Sequence, residues 1–148
     1  MVRQSFMTIK LHLPAANLTP NSFLGSILGP HGINISNFCK EFNDRTQFYN
    51  NFIISSKVLI YKNKTYNLIL KTPTTVSLIL FFLKLKKGSS TPNTNIIGNL
   101  TYDILTKIIK IKVSDFPLLS INKIKKIICN TAQSIGVSYD KNILLIQN

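Results

Sequence analysis

A threonine–proline pair at mid-chain, Thr72-Pro73, stands between a half that reads as strands around one helix and a half that reads as helices around one loop. The pair is both a linker and a helix start, since Thr72 can cap and Pro73 at the first helical position loses no needed N–H. It sets the domain boundary, with residues 1–71 as one domain and 72–148 as the other. Domains of about 70 residues lie near the lower limit for burying a core, so each half would be only marginally stable alone.

In the first half, Thr8 to Leu13 alternate as a strand, and prolines and glycines break Pro14 to Gly32 into turns or short helices. Asn34 then caps a helix running to Asn43. Ile35, Phe38, Cys39 and Phe42 fall at i, i+3, i+4 and i+7 on its apolar face, with Lys40 and Glu41 pointing away. Phe52 to Tyr61 and Tyr66 to Lys71 are rich in Ile, Val, Leu and Tyr, and the polar Lys62-Asn63-Lys64-Thr65 joins them as a β-hairpin.

The second half begins with an almost wholly apolar helix, Thr74 to Leu85, expected to be central to its domain. Lys86 to Asn99 has the Gly, Ser, Pro and Asn content of an extended loop. Thr101 caps a helix from Tyr102 to about Lys112 with Ile104, Leu105, Ile108 and Ile109 inside. Ser120 caps the last helix, which places Ile121, Ile124, Ile127, Ile128 and Ile135 on one face, Lys123, Lys125 and Lys126 elsewhere, and ends at Gly136. The tail from Val137, with its Ile143-Leu144-Leu145-Ile146 run, is a candidate strand or packing segment.

Eighteen basic residues face five acidic ones, giving a net charge of +13 that points to a polyanionic partner, most commonly nucleic acid. Only Arg3 and Arg45 are arginines, so the positive charge meets phosphate as flexible ammonium groups and not as guanidinium forks. That inventory favours recognition of nucleic-acid shape over base sequence. Cys39 and Cys129 stand far apart with no Cys-x-x-Cys pair or neighbouring His, and read as buried free thiols. His12 and His31 are isolated as well, and no paired acid and base or Ser/His/Asp grouping points to an enzyme, a metal or a cofactor. The longest apolar stretch, Val76 to Leu83, is far shorter than the roughly 20 residues of a membrane span. Residues 1–6 run at once into a strand, leaving no room for a signal or transit peptide on this reading.

Five landmarks stand in a fixed order: Gly29-Pro30-His31-Gly32-Ile33-Asn34-Ile35, Phe38-Cys39-Lys40-Glu41-Phe42-Asn43, Lys71-Thr72-Pro73, Lys87-Gly88-Ser89-Ser90-Thr91-Pro92-Asn93 and Thr131-Ala132-Gln133-Ser134-Ile135-Gly136. From roughly Thr8 to Ser138 the chain resembles the large-subunit ribosomal protein L-eleven family. The resemblance implies an α+β protein: an N-terminal α/β domain with a small antiparallel sheet, then a C-terminal all-helical, homeodomain-like bundle with a long RNA-binding loop. It implies binding to large-subunit ribosomal RNA at the GTPase-associated centre, beside neighbouring stalk ribosomal proteins, with the N-terminal domain facing elongation and release factors.

Carried over by position, the implied RNA-binding residues are Lys86, Lys87, Gly88, Ser89, Ser90, Pro92 and Asn93 of the loop, and Lys126, Asn130, Thr131, Ser134 and Gly136 of the last helix. Thr131 and Ser134 would donate their hydroxyls to phosphate or ribose, against the blander role of capping the helix end. The family's Gly and Arg are Asn130 and Gln133 here, a lost cation for which Lys125 and Lys126 are candidates to compensate. The implied factor-facing residues are Pro20, Phe23, Gly25, Ser26, Gly29 and Gly32. Ser22, Phe23 and Ser26 stand where the family has prolines, so this segment is expected to be less rigid.

Without the resemblance, the competing reading is a homeodomain-like DNA binder using the last helix, which the scarcity of arginine disfavours. Isoleucine, asparagine and lysine are plentiful while alanine occurs only at Ala15, Ala16 and Ala132. That bias is similar to proteins of AT-rich organelle genomes and points to a mitochondrial ribosome, with a bacterial cytoplasm as the second choice.

Overall fold

The computed structural model describes residues 7–140 and Asn142; the Ile143-to-Ile146 run lies outside the described residues. The chain forms two compact units, Met1–Pro73 and Thr74–Asn148.

In the first unit, strands β1 (Met7–Pro14), β2 (Ile53–Ile60) and β3 (Tyr66–Pro73) form an antiparallel sheet in the order β1-β2-β3. Alternation along the strands aims one row inward, Leu11, Leu13, Ile54, Val58, Ile60 and Leu68, against helices α1 (Ser22–Leu28) and α2 (Ile35–Thr46). Helix α2 answers with Phe38, Cys39 and Phe42, all buried, and Ile35 packs at the margin. Asn34 caps it as expected, its side chain accepting from the Asn37 N–H at 3.2 Å.

Helix α2 continues three residues beyond Asn43 because its last turn has partners across the unit. Asn43 accepts from the Leu18 N–H and donates to the Leu18 carbonyl, both at 2.9 Å, while the Thr46 hydroxyl accepts from the Ala16 N–H at 3.1 Å. Glu41, expected to face away, is half-buried: it accepts from the Tyr66 hydroxyl at 2.7 Å and pairs with Arg45 at 2.6 Å.

The helix start expected at Thr72-Pro73 lies two residues later. Pro73 is buried at the end of β3 opposite Ile54, which holds the strand one residue past Thr72. Thr74 caps α3 (Thr75–Phe82) instead, accepting from the Ser77 N–H at 3.3 Å. Helix α3 also stops early. Lys84 turns left-handed at φ 55°, its N–H donating to the Phe81 carbonyl while the Leu85 N–H reaches back to Leu80. This closure sends Leu83 and Leu85 toward Gly98. Only Leu78 and Ile79 of α3 are fully buried, and Phe81 is half exposed, so α3 is one-sided and not central.

Helices α4 (Tyr102–Lys112) and α5 (Ile121–Ser134) pack against α3 and each other. Leu105, Ile108, Ile109, Ile124, Ile128, Cys129 and Ala132 form their common core. Thr101 and Ser120 hold the N-cap positions with extended backbone but give no side-chain capping bond. Ile121 and Ile127, expected inside, are exposed, and Lys125 takes an inward place. The bundle also carries a parallel ladder that its helical spacing did not announce, with β4 (Gly98–Leu100) paired to β5 (Val137–Tyr139).

Burial, followed by the hydrogen bond to Glu41, pushes the Tyr66 phenol up to about 12 from an ordinary value of 10.0. A phenol whose folded pKa is raised contributes stability that is complete below its unfolded pKa, about pH 10, and lost as pH climbs through about 12. Tyr66→Phe should therefore shallow the alkaline decline in unfolding free energy between those two values, read as the difference between wild-type and variant denaturant curves.

Candidate nucleic-acid interface

Helix α5 ends at a left-handed corner. Gly136 adopts φ +83°, and its N–H returns to the Gln133 carbonyl at 3.1 Å. The next two carbonyls are capped from outside the helix: Ser89 N–H donates to Ile135 O at 2.9 Å, and Ile97 N–H to Gly136 O at 2.8 Å. The segment between Lys86 and Ile97 is thus pinned to the corner near both of its ends. Inside it, Thr91 O accepts from Thr94 N–H at 3.1 Å and Asn95 N–H at 2.8 Å, and Ser89 Oγ accepts from Thr91 N–H at 3.1 Å. The expected extended loop is therefore a folded one.

The approach of loop to helix is close enough to require glycine at position 136 and is tight at Gly88. A Cβ on Gly136 would come within 2.5 Å of Ser89 Cβ and 3.0 Å of the Asn95 carbonyl, and one on Gly88 within 3.3 Å of Ile135 Cβ. Gly88, Ser89 and Gly136, singled out separately in the sequence, form this single contact. Pro92 and Asn93 meet Gly136 across a concavity of about 250 Å³ whose remaining wall is Ile96, Gln133, Val137, Ser138 and Tyr139. Lys86, Lys87 and Ser90 lie exposed on the loop.

On α5, Lys126, Asn130 and Ser134 recur at i, i+4 and i+8 on one exposed face, together with Lys123. No hydrogen bond among the described residues joins Lys126 or Asn130 to the loop. The hydroxyls behave differently from expectation: Thr131 Oγ1 donates to Ile127 O at 2.8 Å and Ser134 Oγ to Thr131 O at 2.7 Å. Both protons are engaged by their own helix, the local bonding open to any Ser or Thr on a helix, so these hydroxyls offer lone pairs as acceptors. Lys125 is no substitute for the missing arginine, being 5% exposed with its Nζ 5.8 Å from the centre of the Tyr102 ring. Lys126 remains exposed.

The residues missed in the sequence are Gln133, Ile96 and Tyr139. Gln133 registered there only as a lost charge, and Tyr139 only as part of the tail from Val137, the candidate strand that forms β5. Their common feature, the concavity, depends on contacts between distant segments that leave no local spacing.

In the first unit, Pro20, Phe23, Ser26, Gly29 and Gly32 are exposed, and Gly25 packs toward Ile35 Cδ1. Ser22, Phe23 and Ser26 form one of the short helices expected between Pro14 and Gly32. They lie in α1, where the Asn21 side chain accepts from Leu24 N–H at 2.9 Å and Leu24 and Leu28 are completely buried. Hydrogen bonding and two apolar anchors set the backbone that prolines would otherwise fix. Gly32, at φ +71°, turns beneath the Lys64 side chain of the hairpin.

Among the described residues there is no group of three or more His, Cys, Asp and Glu able to hold a metal. Cys39 and Cys129 are buried free thiols whose pKa burial raises, which removes the thiolate that nucleophilic or metal chemistry needs. No helix of the described residues is long and apolar enough to cross a membrane.

Gly136→Ala should destabilise the second unit by about 2–4 kcal/mol, combining the left-handed backbone cost with overpacking against Ser89 and the Asn95 carbonyl. Chemical denaturation measures this. Loss of slow hydrogen exchange at the Ser89 and Ile97 amides would accompany it.

The family pattern "Ribosomal protein L11, N-terminal domain" matches residues 9–66, and "Ribosomal protein L11, RNA binding domain" matches residues 71–138. The chain is 38% identical over 129 residues to large ribosomal subunit protein uL11 of Thermobifida fusca (strain YX), covering 87% of this chain and 91% of that one. It is 35% identical over 140 residues to large ribosomal subunit protein uL11c of Cyanidium caldarium, covering 95% and 99%. Homeodomain-like DNA binding finds no support in these matches. With both of its halves matched in order and its relatives covered nearly end to end, the chain belongs to the ribosomal protein L11 family, RNA-binding structural constituents of the large ribosomal subunit and not enzymes.

Proposed function

We propose that the second unit, Thr74–Asn148, anchors the protein to the GTPase-associated centre of large-subunit RNA, with the loop and the end of α5 as its contact surface. The observation that carries this is the pinning of Gly88-Ser89 onto Ile135-Gly136 between the exposed lysines of the loop and the Lys126, Asn130, Ser134 face of α5. A backbone held this close, with small residues outward and cations around it, suits a folded RNA surface met through phosphate and ribose. The first unit, Met1–Pro73, presents Pro20, Phe23, Gly25, Ser26, Gly29 and Gly32 to elongation and release factors, and neighbouring stalk proteins complete the site.

The ribosome is that of a mitochondrion on this reading, supported by the isoleucine, asparagine and lysine bias and the three alanines. The relatives, one bacterial and one a uL11c protein, favour a bacterial or plastid ribosome as the competing compartment. Mass spectrometry of sedimented large subunits from purified organelles separates these; recovery from cytosolic or plastid particles alone would overturn the mitochondrial assignment.

If affinity rests on phosphate neutralisation, Lys87→Ala should lower the slope of log affinity against log salt by about 0.7–0.9, one counterion contact. The measurement is a filter-binding titration against a GTPase-centre RNA fragment at several salt concentrations. An unchanged slope and affinity would remove Lys87 from the interface.

A further inference from the structure

The concavity at the end of α5 has walls from two segments, the loop residues Pro92, Asn93 and Ile96 on one side and Gln133 and Tyr139 on the other. Its volume of about 250 Å³ falls below the roughly 300–1,000 Å³ of pockets that enclose drug-sized ligands, so its occupant is a group of one or two rings. Apolar surface comes from Pro92, Ile96 and the half-buried Tyr139 ring. Polar surface comes from the exposed amides of Asn93 and Gln133, which have no hydrogen-bond partner among the described residues.

An amide presents a donor and an acceptor side by side, the pattern that matches the edge of a nucleobase, while an aromatic ring offers the face on which a base stacks. Exposed Lys86 and Lys87 on the same loop supply the charge that draws a phosphate chain to the mouth. The carboxylate of Asp140, beside Tyr139, accepts from the Asn142 N–H at 3.1 Å.

We infer that this concavity takes one unstacked nucleobase of the bound RNA, stacked on Tyr139 and read along its edge by Asn93 and Gln133. The inference rests on the RNA-anchoring role given to the second unit. It assigns base recognition to a surface otherwise built for phosphate and ribose, and so provides sequence dependence in a protein poor in arginine.

The test uses the full chain and a GTPase-centre RNA fragment carrying a fluorescent base at each unpaired position in turn, 2-aminopurine for purines and pyrrolo-cytosine for pyrimidines. One position should be quenched on binding. Tyr139→Leu should abolish that quench and weaken binding between about five-fold and a hundred-fold, the range of one base–aromatic stack, whereas Tyr139→Phe should preserve both. Gln133→Ala, at an exposed site, should leave the fold intact and level the affinities of RNAs differing only at the quenched base. RNA bound normally with no quench sensitive to Tyr139, or equal losses in the Leu and Phe variants, would overturn base insertion while leaving RNA anchoring in place. Failure of the wild-type chain to bind the RNA at all would overturn both.

Discussion

The second unit depends on how one helix end is satisfied. An α-helix leaves its last carbonyls without partners, and here the carbonyl of the cap residue Ile135 and that of Gly136 just past the helix receive the amides of Ser89 and Ile97, residues of a loop far away in sequence. The exchange works only because Gly136 occupies the left-handed region without a side chain, allowing Ser89 and Asn95 to close over it. Helix termination, loop conformation and the launch of β5 are consequently one event.

The first unit solves a parallel problem by different means. Its long β1–α1 connection would leave backbone amides unsatisfied, and α2 answers them with side chains: Asn43 to Leu18 and Thr46 to Ala16. Below that polar seam, Phe38 and Phe42 fill the space between helices and sheet. In a unit this small, two aromatic side chains carry a large share of the buried apolar area. Helix α1 is held by similarly few contacts, with two buried leucines and an asparagine cap.

What the sequence disclosed was whatever repeats locally. The apolar face of α2 and the residues of α4 are visible because 3.6-residue spacing recurs within a few turns, and the β2–β3 hairpin because alternation brackets a polar turn. Lys125 shows the limit: its charge marked it as outward, yet its methylene stem packs inward and its ammonium lies over Tyr102. Thr72 reads as the cap before α3, and the burial of Pro73 in the sheet moves that role to Thr74. The β4–β5 ladder joins three-residue strands too short to carry a period, and β5 lines one wall of the concavity at the end of α5. Gly88, Ser89 and Gly136 were each identifiable by residue type, but their mutual contact is a product of tertiary structure.

The parallel pairing of Gly98–Leu100 with Val137–Tyr139 also orders events in time. During synthesis the loop leaves the ribosome long before β5 and the Gly136 corner exist, and domains fold in the sequence in which their segments emerge. The loop amides must therefore wait for α5 to be complete before they find their carbonyls. A nascent chain consequently lacks the folded loop until the Gly136 corner and β5 have emerged.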